Sequence, residues 1–264
     1  MSLDFSRVFD PMFLAPFFNG LLLALLLPVL GAYVRIREEW LSSLGVAQVA
    51  GAGVVLGAVF GYPGLPAALA AAAFAVAAKT IVGRAGNDNY GMMILAGWTL
   101  SLLAAANAAH GGELARAVSE GQLYFSNARR LAELGGIVLV AAAALPWLSP
   151  RLLLGRLFPD HFRANARPAW RHELAFDLLA ASALALASTT IGVMAAFALV
   201  FVPPWVAFRR ARGWRRSLLW SAGFGVASYL VAFAAAIVLD QPFGPVLVAV
   251  LLPAALVRLF RARA

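Results

Sequence analysis

Long apolar runs without charge recur along the chain and are separated by short polar turns. The longest include residues 11–34, 217–239 and 241–257. A helix needs about 20 apolar residues to cross a bilayer, and these runs approach or reach that length. A β-barrel would instead show segments of about ten residues with alternating polar and apolar positions. Backbone groups in lipid must be hydrogen-bonded internally, so the pattern predicts an all-α bundle of membrane-spanning helices.

The pattern predicts about nine transmembrane helices, joined by turns that contain Gly, Pro and Asn. Their approximate limits are 13–34, 44–61, 65–83, 91–109, 134–150, 174–188, 190–208, 217–239 and 243–260. Residues 111–133 are mixed in polarity and fit either an amphipathic helix at the membrane surface or a re-entrant element. We interpret residues 1–264 as a single transmembrane domain.

The charge-free stretch 178–208 decides between eight and nine spans. A single helix from Glu173 to Phe208 would be about 54 Å long at 1.5 Å per residue, whereas the hydrocarbon core is about 30 Å thick. Two shorter helices that meet near residues 188–190 fit better, because the hydroxyl groups there can bond backbone groups at a break.

The charges support this topology. Hydrophobic residues make up 62% of the chain and charged residues only 12%, against about a quarter charged in soluble domains. With the N-terminus outside and the C-terminus inside, 17 of the 21 basic residues fall in stretches predicted to be cytoplasmic. This is the positive-inside pattern, so we interpret the net charge of +9 as a topology signal and expect no nucleic-acid partner.

Enzyme signatures are sparse. The chain has no cysteine, and its histidines, His110, His161 and His172, lie at or beyond the ends of the predicted spans. There is no HExxH motif and no Walker A motif, so we expect neither catalysis nor ATP hydrolysis by this chain. A membrane-embedded lipid-modifying enzyme is the alternative from another class, but it would cluster acid and base residues at one depth. The N-terminus lacks a cleavable signal pattern, so we expect the first helix to direct insertion.

Polar residues within predicted spans are candidates for a translocation pathway, because a polar group in lipid is costly without a partner or water. They are Gln48, Asn107 and Asp177. The alternatives are a helix–helix hydrogen bond for Gln48, a solvated helix end for Asn107, and a carboxylate near a helix N-terminus for Asp177. His110 is a candidate for the outer mouth of the pathway, and we expect Lys79 to extend to the cytoplasmic surface.

A basic loop at about 151–172, predicted to be cytoplasmic, contains a possible short helix that opens at Pro159. Its two phenylalanines are four residues apart and would share a face. Such a helix fits either docking to a soluble partner or lying on anionic lipid. The candidate docking residues are Phe158, Pro159, Asp160, His161, Phe162 and Arg163.

Three segments resemble the permease subunits of ABC importers for zinc, manganese and iron. Residues 190–207 are similar to the family's V-G-x-L-L-v-x-A-L-L-i-x-P-x-x-x-A run, and 157–162 resemble its F-D-P-E-F coupling segment. Residues 35–57 resemble its R-R-x-x-L-x-G-D-x-x-x-H-x-x-x-P-G-x-x-x-G segment, and segment order and length agree across nearly the whole chain. Leu44, Gln48 and Ala52 stand where the family has aspartate, histidine and proline.

The resemblance implies the membrane-spanning, non-catalytic subunit of an ATP-driven importer for a divalent transition metal, zinc before manganese or iron. It implies a homodimer of permeases working by alternating access in the bacterial cytoplasmic membrane. Two ABC ATPase subunits would bind ATP and dock on a coupling helix, and an external metal-binding protein would deliver the cargo. The chain itself would hold no cofactor, and the sequence identifies no metal ligands. Gln48 in place of histidine leaves a second reading, a permease for a metal chelate or a cobalamin-like ligand.

Overall fold

The computed structural model describes residues 10–82, 86–108, 110–158, 162, 165 and 170–260, with side chains for all of these except 82 and 254–260. The regular structure of this part of the chain is helical throughout. The helices are α1 (Leu14–Ile36), α2 (Trp40–Val59), α3 (Gly64–Val82), α4 (Asn87–Ala106), α5 (Gly111–Glu120), α6 (Ala128–Leu157), α7 (Trp170–Ile191), α8 (Val193–Arg210), α9 (Trp214–Val238) and α10 (Phe243–Phe260). Two short 3₁₀ turns, Pro11–Phe13 and Leu123–Phe125, precede α1 and α6.

The prediction of a helical membrane bundle is confirmed. Among the described residues, eight helices are long and apolar enough to cross a membrane: α1 to α4 and α6 to α9. The ninth predicted segment forms α10, whose side chains are described as far as Pro253. Because successive helices run in opposite directions, their ends gather at two faces. We call the face where α1 begins the upper end and the face where α1 ends the lower end.

The predicted break in the stretch 178–208 is confirmed and lies at Gly192, between α7 and α8. Gly192 has φ +89°, a conformation that residues with a Cβ rarely adopt. The hydroxyls just before the break turn back to carbonyls within α7: Thr190 donates to Leu186 at 2.7 Å and Ser188 to Ala185 at 3.0 Å. The two helices therefore form a hairpin whose tip points to the upper end.

Helix α8 forms the centre of the bundle and is covered by α1, α9, α10 and α2. Its close fit to α1 depends on Gly31, whose hydrogen atoms face the carbonyl oxygen of Val200 with no room for a methyl group. Near the upper end, the Tyr229 hydroxyl of α9 donates to the carbonyl of Phe17 in α1 at 2.7 Å. Small residues at helix interfaces allow such close backbone approach in membrane bundles.

Helix α5 is inserted into the bundle. Its Val118 is 7% exposed and packs against Gly51, near the middle of α2, where Val193 of α8 also lies. Directly after α5, the backbone N–H of Gln122 donates to the carbonyl of Thr190 at the hairpin tip, at 2.9 Å. Of the two readings of residues 111–133, this arrangement fits the re-entrant element, because a surface helix would not reach the middle of α2.

Candidate functional site

Four charged side chains meet at the lower end, and we call them the charge cluster: Arg37, Glu39, Lys79 and Asp177. Arg37 ends α1 and Glu39 caps the start of α2. Lys79 lies in the last turn of α3, and Asp177 lies in the second turn of α7. Since α1 and α3 end where α2 and α7 begin, the antiparallel topology brings residues up to 140 positions apart into contact.

The cluster is a closed set of ion pairs. Arg37 Nη1 lies 2.8 Å from Asp177 Oδ1, and Arg37 Nη2 lies 2.9 Å from Glu39 Oε2. Lys79 Nζ completes it, 2.9 Å from Glu39 Oε2 and 2.7 Å from Asp177 Oδ2. Burial alone would lower the pKa of Arg37, but the carboxylates of Asp177 and Glu39 outweigh it and raise that pKa above its ordinary value. Two cations and two anions balance, so the buried site carries no net charge.

This geometry changes two expectations. Lys79 was expected to extend to the surface, which is wrong: its side chain is only 9% exposed and its ammonium points inward to two carboxylates. Asp177, a candidate pathway residue, lies instead in the cluster with its side chain 13% exposed. The sequence analysis missed Arg37 and Glu39, although complementary charges at the ends of successive helices were a visible signal.

A cleft of about 320 Å³ opens beside the charge cluster at the lower end. Its walls come from the α1–α2 turn, the start of α4, the end of α6 and the start of α7, and include Arg37, Glu39, Tyr90, Arg151, Arg156, Phe162, His172 and Glu173. At its edge, Arg156 Nη2 pairs with Glu38 Oε1 at 2.7 Å, which ties the end of α6 to the α1–α2 turn.

Only two of the candidate docking residues are described. Phe158 follows α6 directly and is 62% exposed, whereas Phe162 is 8% exposed and faces Gly155 and the His172 ring. The two rings therefore do not form one displayed face, because Phe162 packs back against α6 and α7. Pro159, Asp160, His161 and Arg163 lie outside the described residues.

The other candidate residues do not converge on one site. Asn107 and His110 lie exposed at the upper end. Asn107 is the C-cap residue of α4, and its side-chain amide donates to the carbonyl of Leu103 at 2.7 Å. That geometry matches a solvated helix end. Gln48 lies near the middle of α2 against Gly97 of α4 and is half-buried. Its side chain makes no hydrogen bond to any other described residue.

An aromatic row that was not predicted from the sequence runs along the side of α8 that meets the start of α2. Phe197, Phe201 and Trp205 are spaced four apart, so they share one helix face. The rings of Phe197 and Phe201 stack at 5.6 Å with planes 8° apart, and Phe201 stacks on Trp205 at 6.4 Å. Trp40 of α2 joins them, 5.1 Å from Phe201. All four are partly buried, and Trp40 and Phe201 also pack against the hydrophobic core; we call the four the aromatic row.

The described residues offer no group of three or more His, Cys, Asp or Glu side chains that could hold a metal ion. The charge cluster supplies two carboxylates, but their oxygens already accept from Arg37 and Lys79. Chemically, the described residues therefore present an ionic tie at the lower end, a cleft beside it and a partly exposed aromatic surface.

The profile of the ABC 3 transport family matches residues 10–262. No curated protein matches the chain. A chain of PsaBC from Streptococcus pneumoniae, solved in complex with a Fab, aligns with TM-score 0.82 and 13% identity over 96% of this chain and 94% of that chain. An inward-facing structure assigned as a metal-chelate type ABC transporter aligns with TM-score 0.74 and 18% identity over 94% and 85%. The chain therefore belongs to the ABC 3 transport family, as a membrane permease whose ATP hydrolysis is carried out by a separate subunit.

Proposed function

We propose that this chain is the permease of an importer for a divalent transition metal, with zinc as the first cargo to test. The observation that carries the proposal is the family match over residues 10–262. It is supported by the likeness of the whole fold to a PsaBC chain and to a structure assigned to metal-chelate transport. Two copies would pair around a pathway, two ATPase subunits would supply the energy, and an external binding protein would deliver the metal.

The lower end is suited to receive the motion of an ATPase. The segment 158–169 connects the end of α6 to the start of α7, so force on it acts on both helices. Phe162 contacts Gly155 and the His172 ring, so movement of this segment would displace α6 and α7. The Arg156–Glu38 ion pair links the end of α6 to the α1–α2 turn. The charge cluster lies next to this turn and ties α1, α2, α3 and α7 together. Breaking and remaking such ties is a discrete change of the kind that alternating access requires.

We expect the lower end to be cytoplasmic, in a bacterial inner membrane. The chain has no cysteine, so single cysteines report position without background. Gln241→Cys, exposed between α9 and α10 at the upper end, should react with a membrane-impermeant maleimide on spheroplasts. Arg212→Cys, exposed between α8 and α9 at the lower end, should react only after the membrane is permeabilised. The reverse pattern would invert the proposed orientation.

Metal import is tested by deleting the gene and measuring total cell zinc, manganese and iron by mass spectrometry during metal limitation. We expect cell zinc to fall and to recover when the wild-type chain is restored, with manganese and iron as internal comparisons. An unchanged content of all three metals would contradict the proposed function.

Docking of the ATPase is tested at Phe158, because Phe162 is buried and its substitution would disturb folding. Phe158→Asp should weaken association with the ATPase by at least about tenfold, since exposed aromatics at such interfaces often contribute 2 kcal/mol or more. The measurement is co-purification of the two subunits followed by a titration of the complex.

The matched control is Phe125→Asp, an equal change at an 85% exposed phenylalanine on the upper end. It should leave ATPase association unchanged. Equal binding by the Phe158 variant and the wild type would remove Phe158 from the docking surface.

A further inference from the structure

The predicted spans contain no ionisable metal ligand along most of their length. Residues 11–34, 40–78, 89–109, 134–150, 178–208 and 217–239 include no Asp, Glu, His, Lys or Arg, and the chain has no cysteine. Zinc sites in proteins use Cys, His, Asp or Glu side chains. Because a second copy of the chain has the same sequence, pairing two copies adds none of these groups at mid-depth. A bare divalent ion would therefore find only amide, hydroxyl and thioether groups there.

Near the middle of α2, however, one side of the helix carries a polar group that a lipid-facing surface would not. Gln48 presents a half-buried amide there, and its side chain has no hydrogen-bond partner among the described residues. An amide that faces hydrocarbon without a hydrogen-bond partner carries a large desolvation cost. Polar side chains in membrane helices accordingly face a bundle interior or a water-filled cavity. The side of α2 that carries Gln48 is thus the side from which lipid is excluded.

The aromatic row continues this surface toward the lower end. Trp40 lies two turns below Gln48 on the same side of α2 and contacts Phe201 and Phe197 of α8, at ring distances of 5.1 and 6.5 Å. Phe197 and Phe201 lie with their ring planes 8° apart. The exposed parts of these partly buried rings are flat and apolar, and Gln48 supplies a neutral hydrogen-bonding group on the same side of α2.

We propose that the cargo crosses as a metal enclosed by an organic ligand with planar aromatic groups, and that Gln48 and the aromatic row form the surface it touches. The inference rests on the proposed function and adds the chemical form of the cargo. A ligand shell supplies the metal's donor atoms, so the permease needs none of its own. Aromatic rings attract the planar groups by stacking, and the Gln48 amide can donate to, or accept from, a polar atom at the edge of the ligand.

The test is equilibrium binding to the permease–ATPase complex in lipid nanodiscs, with empty nanodiscs subtracted. Three probes carry the same radioactive zinc: the free ion, the EDTA chelate, and the bis-chelate of 4-(2-pyridylazo)resorcinol, whose two ligands are each planar and aromatic. We expect the aromatic chelate to bind about tenfold more tightly than either of the others, since one stacking contact contributes up to about a factor of ten. Equal or tighter binding of the free ion overturns the proposal, and equal binding of the EDTA chelate overturns the aromatic recognition.

Variants locate the surface. Phe201→Leu keeps an apolar side chain but removes the ring, and it should weaken binding of the aromatic chelate about tenfold. Phe74→Leu is the control, because Phe74 is 72% exposed on α3, away from the row; it should bind like the wild type. Normal binding of the aromatic chelate by the Phe201→Leu complex would overturn the assignment. So would separation of the two permease copies on size-exclusion chromatography if each separated copy still binds the chelate. Tight binding of free zinc combined with a fall of cell zinc on deletion would refute this inference and leave the proposed function standing.

Discussion

Replacing Asp177 by asparagine is expected to destabilise the folded permease by about 3–5 kcal/mol, the cost typical of removing one partner from a buried ion pair. Asp177 accepts from both Arg37, at 2.8 Å, and Lys79, at 2.7 Å. The neutral amide leaves two cations balanced only by Glu39, in a site where the side chains are 9 to 21% exposed. The measurement is the thermal unfolding midpoint of the purified chain in detergent, with circular dichroism to follow the loss of helix.

Two further variants separate charge balance from packing. Lys79→Met combined with Asp177→Leu removes one charge of each sign, so it should recover much of the lost stability, because apolar replacement of a buried pair is often near neutral. Glu120→Gln removes a carboxylate whose partner, Arg116, is 77% exposed; exposed pairs contribute at most about 1 kcal/mol. If Asp177→Asn unfolds at the wild-type temperature, the cluster does not stabilise the lower end.

The sequence predicted the helices well because hydrophobic length is a local property. Each of the nine predicted segments became one helix, and the split of 178–208 followed from the length of the stretch and the charge at its two ends. Residues 111–133 could not be placed in this way, because α5 is short and polar on one side. Its insertion depends on Gly51 of α2 leaving space for Val118, a contact between positions far apart in the chain.

The candidate site was harder to predict for the same reason. Asp177 was recognised as an unusual charge, but its partners Arg37 and Lys79 are 140 and 98 positions away. No local pattern reveals such pairing. The aromatic row did have a local signal, the spacing of Phe197, Phe201 and Trp205, yet aromatic residues at helical spacing also fill ordinary cores. In the fold these rings are partly buried and keep part of their faces exposed, which their spacing alone does not reveal.

Replacing Gly192 by alanine is expected to prevent correct assembly of the upper end or to destabilise it by several kcal/mol. Gly192 has φ +89° and ψ 157°, a backbone region essentially restricted to glycine, where a residue with a Cβ costs about 1–3 kcal/mol. Its new Cβ would also lie 2.5 Å from the carbonyl oxygen of Ser119 and 2.7 Å from the carbonyl carbon of Glu120. These are backbone atoms, so no side chain can turn aside to relieve the overlap.

The segment that faces Gly192, residues 119–121, is itself tightly packed. Gly121 has φ +81°, and its hydrogen atoms face the backbone of Ile191 and Gly192. The backbones at Gly192 and Gly121 are therefore in direct contact, and neither position has room for a Cβ. The matched control is Gly223→Ala, in the exposed interior of α9, where a Cβ would meet nothing within 4 Å. That change should stabilise the helix by up to about 1 kcal/mol. Both the yield of monodisperse protein and its unfolding temperature should therefore fall for Gly192→Ala and rise for Gly223→Ala. A Gly192→Ala chain that is as stable as the control would show that the hairpin tip packs less tightly against α5 than these distances require.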